Sequence, residues 1–161
     1  LELIIKNQLL IMNQQIKIFF DNPQLFEINN LNVLGGITGL YFIFTESIEI
    51  RYPFKKSRLI YIGMSEKRTN SIRKRLSNHF DGKTNVGLKN YRAVEQLFFT
   101  YINFEILKDL WNLKIENLET YFIHDFVKNF GVSPICNNKL NSEISKKKLP
   151  IQFQIDWEYF K

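Results

Sequence analysis

Two short apolar segments, residues 39–44 and 59–63, constrain the fold most. Both are dense in aromatic and β-branched residues and short enough to be buried strands. Alternation along a strand turns Tyr41 away from Leu40 and Phe42, and Tyr61 away from Ile60 and Ile62. Pairing in register puts both phenols on one face. The basic stretch that follows carries Ile72, Leu76 and Phe80 at helical spacing, with Thr69 or Asn70 as its expected cap and Asp81-Gly82 as its end. Arg75 and His79 are four residues apart on that helix and share a face. Two tyrosines, an arginine and a histidine are therefore expected to converge on one surface.

Residues 96–104 read as a third strand and residues 87–90 as a loop. A long helix is expected over about 107–130, with a break near Trp111 and Asn112. Ile115, Leu118, Phe122, Ile123, Phe126 and Phe130 form its buried stripe, and Gly131 caps it. Glu119 falls in the middle of that stripe, where a carboxylate is costly unless paired, protonated or metal-bound. The expected class is α/β, an α+β sandwich-like fold. It has a small central three-stranded, mostly antiparallel sheet flanked by helices, with extensions at both ends.

Residues 1–36 read as a packing extension, broken at Asp21-Asn22-Pro23, Asn29-Asn30 and Gly35-Gly36. In it a helical pattern through Ile5, Leu9 and Ile16 competes with an alternating one through Ile16, Ile18 and Phe20. Within the core, residues 37–140, the stretch 45–52 extends the first strand into a loop that Pro53 ends. Lys55, Lys56 and Arg58 read as solvated cations. Residues 141–161 form a C-terminal basic segment, with Lys146-Lys147-Lys148, and a strand. There Ile151, Phe153, Ile155, Trp157 and Tyr159 alternate with polar residues. That strand is expected to dock on this domain or on a second subunit, which makes a homo-oligomer one expectation.

Lys and Arg number 22 against 16 Asp and Glu, a net charge of +6 that favours a polyanionic partner. Cys136 is the single cysteine, which excludes an intramolecular disulfide and a cysteine-based zinc site. No apolar run approaches the roughly 20 residues that span a bilayer. The expectation is a soluble, cytoplasmic protein without a membrane partner.

Taken in order, Gly39-Leu40-Tyr41, Tyr61-Ile62-Gly63, Arg75-x-x-x-His79, the acidic helix at Leu118-Glu119-Thr120 and Pro134-x-x-Asn137 resemble the GIY-YIG nuclease superfamily. The resemblance covers residues 37–138. It implies a DNA endonuclease that hydrolyses phosphodiester bonds with one divalent ion, Mg²⁺ or Mn²⁺, and no small-molecule cofactor. Glu119 would hold the metal, since a hard cation prefers carboxylate oxygen. Arg75 would stabilise the phosphoryl group with its planar fork of donors. Tyr41 would serve as general base with His79 taking or relaying its proton, Tyr61 would orient water and phosphate, and Asn137 would brace the site. A phenol, with a reference pKa near ~10, needs help to act as a base. Lys67, Arg68, Arg73 and Lys74 are the expected DNA contacts. His124 and Cys136 read as structural. The alternatives are a catalytically inactive nucleic-acid-binding module of the same fold and a protein-association domain.

Overall fold

The computed structural model describes residues 14–138 and 151–161. The expected helical pattern through Ile5 and Leu9 and the Lys146-Lys147-Lys148 run lie outside them. Along the chain come β1 (Gln14–Ile18), β2 (Gln24–Leu25), a 3-10 turn (Ile28–Leu34), β3 (Gly39–Thr45), β4 (Ile50–Arg51), β5 (Lys56–Ser57) and β6 (Leu59–Ser65). Then follow α1 (Ile72–Phe80), α2 (Val86–Val94), β7 (Leu97–Asn103), α3 (Phe104–Leu107), α4 (Ile115–Phe130), β8 (Ile151–Ile155) and a 3-10 turn (Trp157–Phe160).

The expected sheet is present, but with four antiparallel strands rather than three, in the order β2-β7-β3-β6. The extra strand is the residue pair Gln24 and Leu25 against Phe99 and Phe98, too short to show alternation. β3 is central and buried along its whole length. One face of the sheet, with Leu40, Phe42, Phe44, Leu59 and Ile62, packs on Leu118, Phe122 and Phe126 of α4 and on Phe153, Trp157 and Phe160. The other face, with Tyr41, Ile43, Ile60 and Phe99, packs on Ile72 and Leu76 of α1, Leu88 of α2, and Leu31 and Leu34. Burial at roughly 25 cal/mol per Å² of apolar surface drives both contacts. The fold is thus α+β, with helices on both faces of one sheet.

β1 and β8 pair in parallel beside this sheet. Ile151, Phe153 and Ile155 point inward while Gln152 and Gln154 face solvent, as alternation requires. The Tyr121 hydroxyl accepts from Phe153 N–H at 3.1 Å and lies 3.2 Å from Phe153 O, to which it donates. Trp157 and Tyr159 are not on the strand: the chain turns at Asp156, and Trp157 Nε1 donates to Asp125 at 2.9 Å. The apolar face of β8 is covered within the chain by Trp111, Tyr121 and Phe122.

Several local expectations are corrected. Residues 87–90 belong to α2, not to a loop. Asn85 caps that helix by accepting from Leu88 N–H at 3.0 Å, and Gly87 packs tightly on Cys136, whose Sγ would lie 3.0 Å from a Cβ there. The N-cap of α1 is Ser71, since Thr69 and Asn70 are taken up in a 3-10 turn; Ile37 O accepts the Ile72 N–H at 2.9 Å. The expected break near Trp111 is present but wider than expected, taking residues 108–114 out of the helix, with Trp111 Nε1 donating to Lys114 O at 3.0 Å. Gly131, at φ 98°, ends α4 as expected. The first strand stops at Thr45, and β4 and β5 form a separate hairpin. Arg58 is not a solvated cation: it donates to the carbonyls of Thr45, Glu46 and Lys161 and lies over the Phe44 ring. Lys55 and Lys56 are exposed, paired with Glu158 and Glu49.

β6 is an edge strand whose open side is covered by the segment after α4. Asn137 Nδ2 donates to Ile62 O at 2.8 Å, Ile62 N–H donates to Asn137 Oδ1 at 3.0 Å, and Cys136 N–H donates to Ile60 O at 2.9 Å. Among the described residues no helix is long and apolar enough to cross a membrane.

Candidate active site

The site grows from the register of β3 and β6. Tyr41 lies opposite Gly63 and Ile43 opposite Tyr61, so the two phenols are diagonal neighbours on one face, with ring centroids 6.0 Å apart. A Cβ on Gly63 would stand 2.5 Å from the Tyr41 hydroxyl oxygen. Only glycine at 63 lets the phenol lie there. Gly39 is equally constrained: its φ is 145°, and a Cβ would run into Ile102 O.

α1 supplies the next two groups, one helical turn apart. His79 is buried, and its Nε2 is 3.0 Å from the Tyr41 hydroxyl. Its Nδ1 is 2.7 Å from Thr84 Oγ1. The His79 ring also meets Tyr61 edge-on at 5.0 Å. The Arg75 guanidinium faces Tyr41 and Tyr61 closely enough to favour their ionised forms. Its buried Nε has no hydrogen-bond partner among the described residues. An orphaned buried donor of a cation is costly, and the site bears that cost to hold the guanidinium against the two phenols.

Glu119 comes from α4, which packs on the opposite face, and its charge acts on Tyr41, Tyr61 and Arg75. It is half-buried rather than sunk in the apolar stripe. The other stripe residues are all buried as expected. α4 packs on β6, the edge of the sheet, so the sheet covers less of the helix there than a helical wheel assumes.

Burial pushes the Tyr41 hydroxyl well above the usual phenol range; Tyr61 adds to this and Arg75 opposes it. Tyr61 is raised by burial and by Glu119. Burial works against the Arg75 charge, but Tyr41, Tyr61 and Glu119 outweigh it and raise its pKa. Burial and then Arg75 hold His79 down to about 4. At neutral pH the site therefore holds a neutral imidazole hydrogen-bonded to a neutral phenol, beside a guanidinium. With the phenol raised and the imidazole lowered, the shared proton rests on Tyr41, and moving it to His79 needs a nearby cation to lower the phenol.

Tyr41, Tyr61, Arg75, His79 and Glu119 are thus brought together. Asn137 lies behind them, pinned to the Ile62 backbone, where it holds the strand that carries Tyr61 and Gly63. Lys67, Arg68, Arg73 and Lys74 are all exposed at the start of α1. Arg68 leans to Glu105 at 3.9 Å, and Arg73 Nη1 lies 3.9 Å from where a Gly35 Cβ would be. Cys136 is a core residue whose thiol burial pushes up to about 12. Thr84 and the steric role of Gly63 were not anticipated from sequence; glycine two residues after Tyr61 was the only signal of the second.

Among the described residues no group of three or more His, Cys, Asp or Glu clusters as a metal-ligand set. One carboxylate, Glu119, acting on two phenols offers a hard cation a single anionic oxygen ligand, with water and phosphate oxygens left to fill its other positions. Comparison with protein-family models, curated proteins and solved structures returned no match.

Proposed function

We propose that this protein is a metal-dependent endonuclease that hydrolyses DNA phosphodiester bonds, of the GIY-YIG type. The observation that carries the reading is the meeting of Tyr41, His79 and Arg75, with Glu119 acting on them from the far side of the edge strand.

The attacking water gives its proton to the Tyr41 oxygen while the Tyr41 proton passes to His79 Nε2. The hydroxide so formed makes the new P–O bond, the bond to the leaving oxygen breaks, and that oxygen takes a proton from solvent. Arg75, whose side chain is only part-buried, donates to the phosphoryl oxygens as their charge grows. Tyr61 orients the water and the phosphate, and Asn137 keeps the strand beneath them in place. Glu119 would hold one Mg²⁺ or Mn²⁺, whose charge would stabilise the phosphoryl group and the departing oxygen. Lys67, Arg68, Arg73 and Lys74 would meet the DNA backbone. With DNA as substrate and a single, buried cysteine, we read the cytoplasm as its place of action.

Digestion of duplex, nicked, branched and single-stranded DNA with Mg²⁺ or Mn²⁺ tests this. Cleavage that a chelator abolishes is the expected result. Salt-dependent binding with no cleavage of any substrate would instead mark an inactive binding module.

A further inference from the structure

His79 is held from both sides, and the outer contact has no part in the reaction as written above. Thr84 is exposed, five residues beyond His79, yet its Oγ1 is 2.7 Å from Nδ1. The chain is built to return it there. α1 ends with Asp81 N–H donating to Ser77 O at 3.0 Å and Gly82 N–H donating to His79 O at 3.1 Å. Gly82 takes φ 72°, a left-handed turn that reverses the chain, and Lys83 N–H donates to Asn78 O at 3.2 Å. On the far side Asn85 is fixed twice, capping α2 and donating to Cys136 O at 2.8 Å. Thr84 thus sits between two anchored residues, with its hydroxyl on the imidazole.

A neutral imidazole carries one N–H, so if Nε2 accepts, Nδ1 must donate. The Tyr41 oxygen faces the Arg75 guanidinium, which only donates, so the Tyr41 proton is directed to the imidazole 3.0 Å away. Nε2 then accepts, and the N–H must be at Nδ1, with the Thr84 hydroxyl oxygen accepting it. We propose that Thr84 is a positioning residue that holds the His79 tautomer selected at Tyr41, accepting the Nδ1–H and so keeping Nε2 free to receive the proton of Tyr41. After transfer, the imidazolium carries a proton on each nitrogen, with Nδ1–H still on Thr84. This deepens the nuclease reading and rests on it for its catalytic meaning.

The tautomer is read directly by ¹⁵N–¹H correlation spectra of ¹⁵N-histidine-labelled full-length protein near pH 7. The chain has two histidines, so a His124→Gln background isolates His79. The expected result is a pyrrole-type Nδ1 and a pyridine-type Nε2 in the parent, a mixed or reversed pattern in Thr84→Val, and the parent pattern again in Thr84→Ser. In the cleavage assay Thr84→Val is expected to lower kcat about tenfold with KM unchanged, and Thr84→Ser to restore it. An Nε2–H tautomer in the parent, or a Thr84→Val spectrum identical to the parent's, overturns the proposal. The spectra decide the tautomer whether or not the protein cuts DNA, so failure of the nuclease reading and failure of this one are separate results.

Discussion

The ring of Tyr41 occupies the space that a side chain at position 63 would need. The contact joins the first strand of the site to the edge strand, and it places the hydroxyl on His79. Gly63→Ala is expected to cost about 1–3 kcal/mol of stability, the usual penalty for overpacking. It should also abolish cleavage, because Tyr41 must leave its partner. Denaturant melts and the cleavage assay check both; parent-like stability together with parent-like cleavage would show that position 63 does not set the phenol.

Arg75→Ala and Arg73→Ala separate catalysis from binding on one helical turn. Arg75 faces the buried phenols, whereas Arg73 is exposed. Removing the Arg75 donors is expected to lower the cleavage rate by about 10²–10³ with little change in DNA affinity. Arg73→Ala should weaken binding and flatten its salt dependence, leaving turnover of bound DNA intact. Indistinguishable variants would show that the two arginines share a role.

Glu119→Gln keeps the side-chain shape and removes the charge. It is expected to fold and bind DNA, but neither to cleave nor to retain a divalent ion at the site. Calorimetric titration with Mn²⁺ and the cleavage assay report on the two losses. Substantial Mg²⁺-dependent cleavage by a folded Glu119→Gln protein would defeat the assignment.

His79 makes stability depend on pH in a direction the structure defines. Its folded pKa of about 4 lies below the unfolded value of 6.5, so the unfolded chain binds more protons between them. Stability from this group is fully present above pH 6.5 and is lost as pH falls through 4, by about 3 kcal/mol in all. Denaturation midpoints measured from pH 7 to pH 4 should fall less in His79→Gln than in the parent. Equal slopes would mean that the buried imidazole is protonated without penalty.

The parts of the fold that announce themselves in sequence are those whose periodicity is long. The aromatic, β-branched runs around Tyr41, Tyr61 and Phe99 are strands, and the stripe from Ile115 to Phe130 is buried as its spacing requires. Convergence of Tyr41, Tyr61, Arg75 and His79 followed from alternation and the i,i+4 rule. What escaped is what depends on tertiary position. Gln24 and Leu25 are a strand only because Phe98 and Phe99 lie beside them. Gly87 suggests a loop, but Asn85 caps a helix there and Cys136 packs closely against the glycine. Glu119 has its half-exposure from where the sheet ends, which no helical wheel encodes. Thr84 reaches His79 through a turn at Gly82, and a threonine in a polar loop gives no sign of it.

The parallel pairing of β1 with β8 has a consequence for the order in which the molecule is assembled. Gln14 lies beside Ile151 although most of the described chain separates them, so this ladder closes a very long loop. Phe160 packs on Phe42 and Phe44, and its carbonyl accepts from Arg58 N–H at 2.6 Å. During synthesis the face of the sheet that α4 covers therefore lacks its cover over Phe42 and Phe44 from Phe160 until residue 160 has left the ribosome. Chains stalled with residue 150 at the exit should be protease-sensitive across β3 and β6, and chains stalled past residue 161 resistant. On the nuclease reading, a nascent chain cannot cut DNA until its last described residues have locked the back of the sheet.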